Sequence, residues 1–104
     1  KESIASTGYE NSIASLPAAS LLEQNMPNPF NSSTVIQYRL PNKFTNARIT
    51  VADITGSIIK QFTLTHAGKG SVNIDAASIA QGTYIYSLYV DGRFISSKRM
   101  VIIK

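Results

Sequence analysis

The sequence predicts an all-β domain, an antiparallel sandwich of about seven strands. From residue 34 onward, apolar and polar residues alternate in short runs, the period of strands that bury one face. Turn signals rich in Gly, Asp, Asn and Pro separate these runs at intervals of about 8–12 residues, and no stretch shows the period of a long helix. Such a pattern favours two packed sheets, and a small closed barrel is the alternative.

The chain divides into a leader and one folded domain. Residues 1–19 are rich in Ser and Ala and follow neither the helical nor the strand period, so they are predicted to be a flexible linker. Residues 20–104 are predicted to form the domain, which begins with a short strand at residues 20–24. We expect the sequence to be a piece of a longer protein, because it begins with Lys1 and shows no signal peptide.

The elbow, residues 26–30, precedes the alternating region. Its two prolines remove two backbone donors and fix two φ angles, which excludes a helix interior or a central strand. Met26 and Asn28 are pushed toward extended geometry by the prolines that follow them, and the Asn28 side chain is expected to bond its own backbone. We therefore predict a stiff segment that places Phe30 at the edge of the core.

The first half of the domain is predicted to contain a strand and then a hairpin. Residues 34–40 alternate cleanly, with Ile36, Tyr38 and Leu40 on one face. Residues 47–53 form the next strand, with Ala47, Ile49 and Val51 inward. The sequence at 53–56 has Asp at the first and Gly at the last position of a turn. Residues 57–65 return as a strand, and a change of phase indicates a bulge near Lys60.

The second half is predicted to end in a strong hairpin. Residues 83–90 have apolar side chains on both faces, which indicates a central strand, and Asp91-Gly92 is a strong hairpin signal before the last strand. A turn is predicted at residues 66–70 and a short strand at residues 71–75. A connection with one helical turn follows at residues 76–81, and the closing strand covers residues 93–103.

The inventory of reactive side chains argues against an enzyme. The chain has no cysteine and one histidine, His66, so neither a Cys–His pair nor a His-rich metal site can form. Asp53, Asp75 and Asp91 fall at strand ends, where Asp caps turns; a calcium site built from them stays open, without an EF-hand pattern. No catalytic or phosphate-binding motif is present, so we expect no cofactor.

Charge and hydropathy limit the partners. The net charge is +4, but no basic helix or aromatic-basic motif indicates nucleic-acid binding. No apolar run reaches the length of about 20 residues that a membrane helix needs, so we expect no transmembrane segment. Lysines on strand faces and edges are expected to keep the surface solvated.

Five segments taken together resemble the type A C-terminal sorting domain of the type IX secretion system. They lie at residues 22–31, 40–41, 53–56, 82–84 and 98–104 and read LEQNMPNPFN, LP, DITG, GTY and KRMVIIK. The resemblance covers residues 20–104, and the order and spacing of the segments make it specific.

The resemblance implies an Ig-like sandwich that addresses an attached cargo protein to a secretion machinery of Gram-negative bacteria. It implies passage through the periplasm to the cell surface or beyond, with the translocon and a sortase-like surface peptidase as partners. The cargo would then be released or joined to a lipopolysaccharide anchor. The predicted cleavage region is Ala14, Ser15, Leu16, Pro17, Ala18, Ala19 and Ser20, because a peptidase needs extended, accessible backbone.

The candidate recognition residues come from the elbow and the last hairpin. Lys98 and Arg99 stand side by side in the last strand, which indicates an edge strand, since unpaired charge is costly to bury. An edge strand offers unpaired backbone groups to a partner. The candidates are Pro27, Asn28, Pro29, Phe30, Gly82, Tyr84, Lys98, Met100, Val101 and Lys104.

Two other classes of function stay open at this point. An Ig-like or fibronectin-like module for carbohydrate or adhesion could use exposed aromatics such as Tyr89 and Phe94. A spacer or homodimerisation domain could use a free edge strand.

Overall fold

The computed structural model describes residues 20–104, which form seven strands and one short 3-10 helix. All strand pairs are antiparallel. The 3-10 helix, Ala76–Ser78, lies in the connection where one helical turn is predicted. The predicted all-β fold is confirmed. The strands are β1 (Leu21–Leu22), β2 (Ser33–Leu40), β3 (Ala47–Asp53), β4 (Ile58–Leu64), β5 (Gly68–Asp75), β6 (Gly82–Val90) and β7 (Arg93–Ile102).

The strands form two sheets, one in the order β1-β2-β5 and one in the order β4-β3-β6-β7. An immunoglobulin constant domain groups its first, second, fifth and fourth strands in one sheet. Here the fourth strand pairs with β3 and so belongs to the other sheet. The architecture is therefore an Ig-like sandwich in which a single strand has changed sheets.

The core lies between the inner faces of the two sheets, as the alternating pattern predicts. Ile36 of β2 faces a layer that includes Ile49 of β3 and Tyr86 and Leu88 of β6, and all four side chains are fully buried. β6 pairs with β3 on one side and β7 on the other, which confirms it as a central strand.

The sandwich has two ends, and the described chain enters at one of them. Leu21 pairs with Arg39, so Ser20 lies beside the last residues of β2. We call this the linker end; it also holds residues 41–46, 65–67 and 91–92. The opposite, distal end holds residues 26–32, 54–57, 76–81 and 103–104, and there Phe30 bridges to Ile102 in the other sheet.

Both predicted hairpin turns of the four-stranded sheet are confirmed. In the first, the Gly56 N–H donates to the Asp53 carbonyl at 3.0 Å. In the second, Asp91 and Gly92 both have positive φ, 51° and 78°, as a type I′ turn requires. The register between β3 and β4 skips Ile59, which places the bulge one residue before the predicted position, Lys60.

The turn predicted at residues 66–70 is wrong in extent. β5 already begins at Gly68, and Gly70 pairs with Tyr38 of β2. The Tyr38 ring covers Gly70 so closely that a Cβ there would lie 2.5 Å from the ring Cζ. Glycine in this stretch lets an aromatic ring lie against the strand, a role that the sequence pattern does not distinguish from a turn signal.

Candidate functional site

The elbow is anchored from within by one buried asparagine. Asn25 is 1% exposed. Its Nδ2 donates to the Pro27 carbonyl at 3.1 Å and to Thr34 Oγ1 at 3.0 Å. Its backbone N–H donates to the Tyr86 hydroxyl at 2.6 Å, and that hydroxyl donates to the Glu23 carbonyl at 2.6 Å. The chain on the N-terminal side of the elbow is thereby fixed to the central strand β6.

The elbow also pairs with the last strand. The Phe30 N–H donates to the Val101 carbonyl at 3.0 Å, and the Ile103 N–H donates to the Phe30 carbonyl at 2.9 Å. Where the sequence predicts a bond from the Asn28 side chain to its own backbone, Asn28 Oδ1 instead accepts from the Val101 N–H at 2.9 Å. The two candidate regions, elbow and closing strand, are therefore one structural unit.

This pairing changes the picture of β7 as a free edge. β7 does lie at the edge of its sheet, as predicted. Its C-terminal half, however, is occupied by the elbow and by Gln24, whose Nε2 donates to the Arg99 carbonyl at 2.6 Å. An added strand would have to displace these bonds, so the closing residues do not offer a vacant backbone edge.

The elbow contains two cis peptide bonds, Met26–Pro27 and Asn28–Pro29. Met26 pairs with Val35 through reciprocal backbone bonds of 3.0 Å. Phe30 is 4% exposed, which confirms it as a core residue. Pro27, Asn28 and Pro29 are exposed beside it.

The recognition candidates divide by burial into three groups. Phe30, Tyr84 and Met100 are buried, so they shape the site from beneath. Tyr84 also donates its hydroxyl to the Ala80 carbonyl at 2.7 Å. Lys98 and Val101 are half-buried, and the accessible candidates are Pro27, Asn28, Pro29, Gly82 and Lys104.

The three turn aspartates all accept hydrogen bonds from backbone N–H groups, two of them within their own loops. Asp53 Oδ1 accepts from the N–H groups of Thr55 and Ser57, and the Thr55 hydroxyl is the main cause that lowers the pKa of this carboxyl. Asp75 Oδ1 accepts from the Ala77 N–H in the same way. Asp91 Oδ1 instead accepts from the N–H groups of Thr45 and Asn46, in the loop that precedes β3. Within residues 20–104, no three His, Cys, Asp or Glu side chains are grouped so as to hold a metal ion.

Three further predictions concern the cleavage region, His66 and membrane-spanning segments. Ala14 to Ala19 of the predicted cleavage region lie outside the described residues, and Ser20 is half-buried directly before β1. His66 is exposed in the loop before β5, where its Nδ1 lies 3.2 Å from Thr65 Oγ1. Among residues 20–104, the helix present is too short to cross a membrane.

Sequence reasoning missed the asparagine network. Asn25 adjoins the elbow in sequence, but its partners Thr34 and Tyr86 become neighbours only through the fold. The signal that could have found it is the position of Asn25, a polar residue placed between the core residues Leu22 and Phe30.

Tyr86→Phe is expected to lower the free energy of unfolding by about 1–3 kcal/mol, because it leaves the buried N–H of Asn25 without its acceptor. Denaturant titration at neutral pH measures this. Tyr89→Phe, on the outer face of the same strand, is the matched control and should stay close to the unaltered protein. Equal stability of the Tyr86 and Tyr89 variants would contradict the proposed anchoring role.

The same substitution is expected to change how the stability of the domain depends on pH in alkaline solution. Burial raises the pKa of Tyr86 to about 12, against the opposing effect of the Asn25 N–H. Because the folded-state pKa lies above the ordinary value of 10.0, the folded protein keeps this proton longer than the unfolded chain does. The contribution of Tyr86 to the free energy of unfolding is therefore present below about pH 10 and is lost toward about pH 12. The Tyr86→Phe variant should lack this part of the alkaline loss of stability.

Comparison with known protein families yields one match. A family model described as "Secretion system C-terminal sorting domain" matches residues 26–104. The matched region begins at the first residue of the elbow and ends at Lys104. No curated protein matches the chain.

Proposed function

The chain belongs to the secretion system C-terminal sorting domain family, the sorting signals of the type IX secretion system, and from this membership we propose that residues 20–104 carry an attached cargo protein through that system. The family marks its proteins for the cell surface or the extracellular space, and it is a signal family, not an enzymatic one. The proposed route passes through the periplasm, and any catalytic activity would belong to the cargo.

One observation carries this proposal. The family match runs from the elbow to Lys104, and the elbow and the closing strand are hydrogen-bonded to each other at the distal end. The segments that carry the resemblance at residues 53–56 and 82–84 lie at that end too, whereas the one at 40–41 lies at the linker end. Segments far apart in sequence thus share one surface, as expected for a site that a common machinery reads.

The test of the function is export of a reporter. Residues 20–104 fused to the C-terminus of a secreted reporter should bring it to the surface or medium of a type IX-competent strain. The same reporter without the domain, and the fusion in a strain that lacks the translocon, should both remain in the periplasm. Export that does not depend on the translocon would refute the proposal.

We further propose that a surface sortase-like peptidase cuts the precursor between residues 14 and 20. Among the described residues the first strand starts at Leu21, so a cut before it leaves the strand pairs of residues 21–104 intact. Mass spectrometry of the exported protein is expected to find a new C-terminus in this interval. A terminus inside residues 33–104 would contradict the assignment.

Carbohydrate binding is the second candidate function, and the aromatic pair of Tyr89 and Phe94 is the surface that could serve it. Phe94 packs edge-on against Tyr89, with ring centroids 5.9 Å apart and planes at 69°, and Arg48 lies 4.6 Å above the Tyr89 ring. Rings at this angle present no flat platform, and such cross-strand contacts stabilise the sheet itself. Glycan-array binding that Phe94→Ala abolishes would favour this candidate.

A further inference from the structure

Exposed apolar side chains are concentrated in the distal half of the sandwich. Among the described residues, eight large apolar side chains are exposed, and six of them belong to the distal half. The two at the linker end are Leu21 and Phe94. We call the six the distal surface: Met26, Val35, Ile54, Ile58, Ile59 and Ile103.

These side chains belong to neighbouring segments. Ile54, at the tip of the first hairpin, lines a cavity of about 180 Å³ with Gly82. Beyond Gly82, Gln81 Oε1 accepts a hydrogen bond from the Lys104 N–H at 3.2 Å. Ile103 lines a groove of about 470 Å³ with both elbow prolines. The distal surface therefore runs across the whole end of the molecule.

The distal surface lies far from the residue that leads into the domain. Ser20 is at the linker end, while the distal surface is at the opposite end. Contiguous apolar patches on a protein surface mark sites of interaction. The distal surface is therefore an interaction site that lies a full strand length from Ser20.

Edge-to-edge pairing with a second copy through the four-stranded sheet is disfavoured. Lys60 pairs with Val51, and Lys98 pairs with Tyr86, so both lysines lie on the inner face of the sheet, one at each edge. Both edge strands also carry a register irregularity. Inward-facing charges and bulges are devices that protect edges from pairing. At the distal end, the elbow already occupies the backbone of β7.

We propose that the distal surface is the docking site for a protein of the translocation machinery, which receives it in an apolar groove. This proposal rests on the sorting function and deepens it. Contact is made by side chains, above all Ile54 and Ile103, because the backbone there is already paired. The domain engages the machinery with its distal end while the cargo is attached at the other.

The experiment compares two double variants of the complete precursor in its type IX-competent host. One carries Ile54→Ser and Ile103→Ser; these side chains are 79% and 54% exposed. The matched control carries Leu21→Ser and Phe94→Ser at the linker end, with exposures of 48% and 58%. Thermal unfolding of both purified domains is measured alongside, so that a folding defect is recognised.

Export of the distal variant is expected to fall by about tenfold, since losing a central apolar contact commonly weakens binding to that degree. The control variant should be exported like the unaltered precursor. Equal export of all three proteins, or equal loss in both variants, would overturn the docking proposal alone. Failure of the unaltered precursor to be exported would overturn the sorting function, and the docking proposal with it.

The occupant is identified by a photoreactive amino acid at position 54 or 103, with position 94 as control. Cross-linking of the precursor to an identified secretion component from 54 and 103, but not from 94, supports the proposal. Cross-linking between two copies of the domain would overturn it in favour of a dimer. Binding of the domain to phosphatidylglycerol vesicles that the distal variant loses would overturn it in favour of a membrane surface.

Discussion

Phe30→Ala is expected to lower the free energy of unfolding by about 3–5 kcal/mol, the usual cost of emptying a buried phenylalanine site. The ring is in the core, although Phe30 lies outside the seven strands. Its backbone is hydrogen-bonded on both sides, to Val101 and to Ile103, so the elbow cannot easily move inward to fill the space. A loss of that size is a large part of the stability of about 5–15 kcal/mol typical of a domain.

Phe94→Ala is the matched control for this prediction. Its ring is exposed and at the opposite end, so the loss should be small. Chemical denaturation of the two variants beside the unaltered domain provides the comparison. If Phe30→Ala melts at the same temperature as the unaltered domain, Phe30 does not hold the elbow in place.

Deletion of Val101 to Lys104 is expected to unfold the domain. It removes Ile102, which is 2% exposed, and loss of a buried isoleucine side chain alone costs about 2–5 kcal/mol. It also removes both backbone partners of Phe30 and the pairing of β7 with Gly82. The sum of these losses approaches the total stability of a domain this size.

Removal of Lys104 alone is the control. That residue is exposed, and its N–H bonds to Gln81 at the rim, so circular dichroism should remain that of the unaltered domain. A longer deletion that stays folded would show that the closing residues are dispensable for the sandwich. Loss of export in the longer deletion therefore reflects folding as much as recognition, and surface substitutions are needed to separate the two.

The strands could be predicted because their signal is local. In β6, Tyr84, Tyr86, Leu88 and Val90 alternate with less buried residues, and a single face of the strand is enough to reveal the period. The turn at Asp91-Gly92 is equally local, since two neighbouring residues supply the positive φ angles.

The contacts that build the candidate site could not be predicted in this way. Gln24 and Arg99 lie 75 positions apart in sequence, and Asn25 and Tyr86 lie 61 apart. Periodicity shows which face a residue occupies but not which strand its neighbour comes from. The partner of Asn28 was missed for the same reason, because the residue can bond locally as well as across the fold.

The exposure of Ile58 and Ile59 could not be predicted for a different reason. The pattern of β4 is that of a strand with a buried face, and the change of phase that marks its bulge is visible in the sequence. β4 lies at the edge of its sheet, however, so these side chains are left without a layer to cover them.

The position of Ser20 and Lys104 at opposite ends of the sandwich has a mechanical consequence. A pull on the linker against a distal end held in place acts along the strands, because β1 runs from the linker end toward the elbow. Such tension loads the bonds of β1, Glu23 and Met26 to β2 together, in shear. Bonds loaded in parallel share the force, whereas a pull across the sheet would open them one after another. The domain therefore resists a pull between Ser20 and its distal end better than a pull across the sheet.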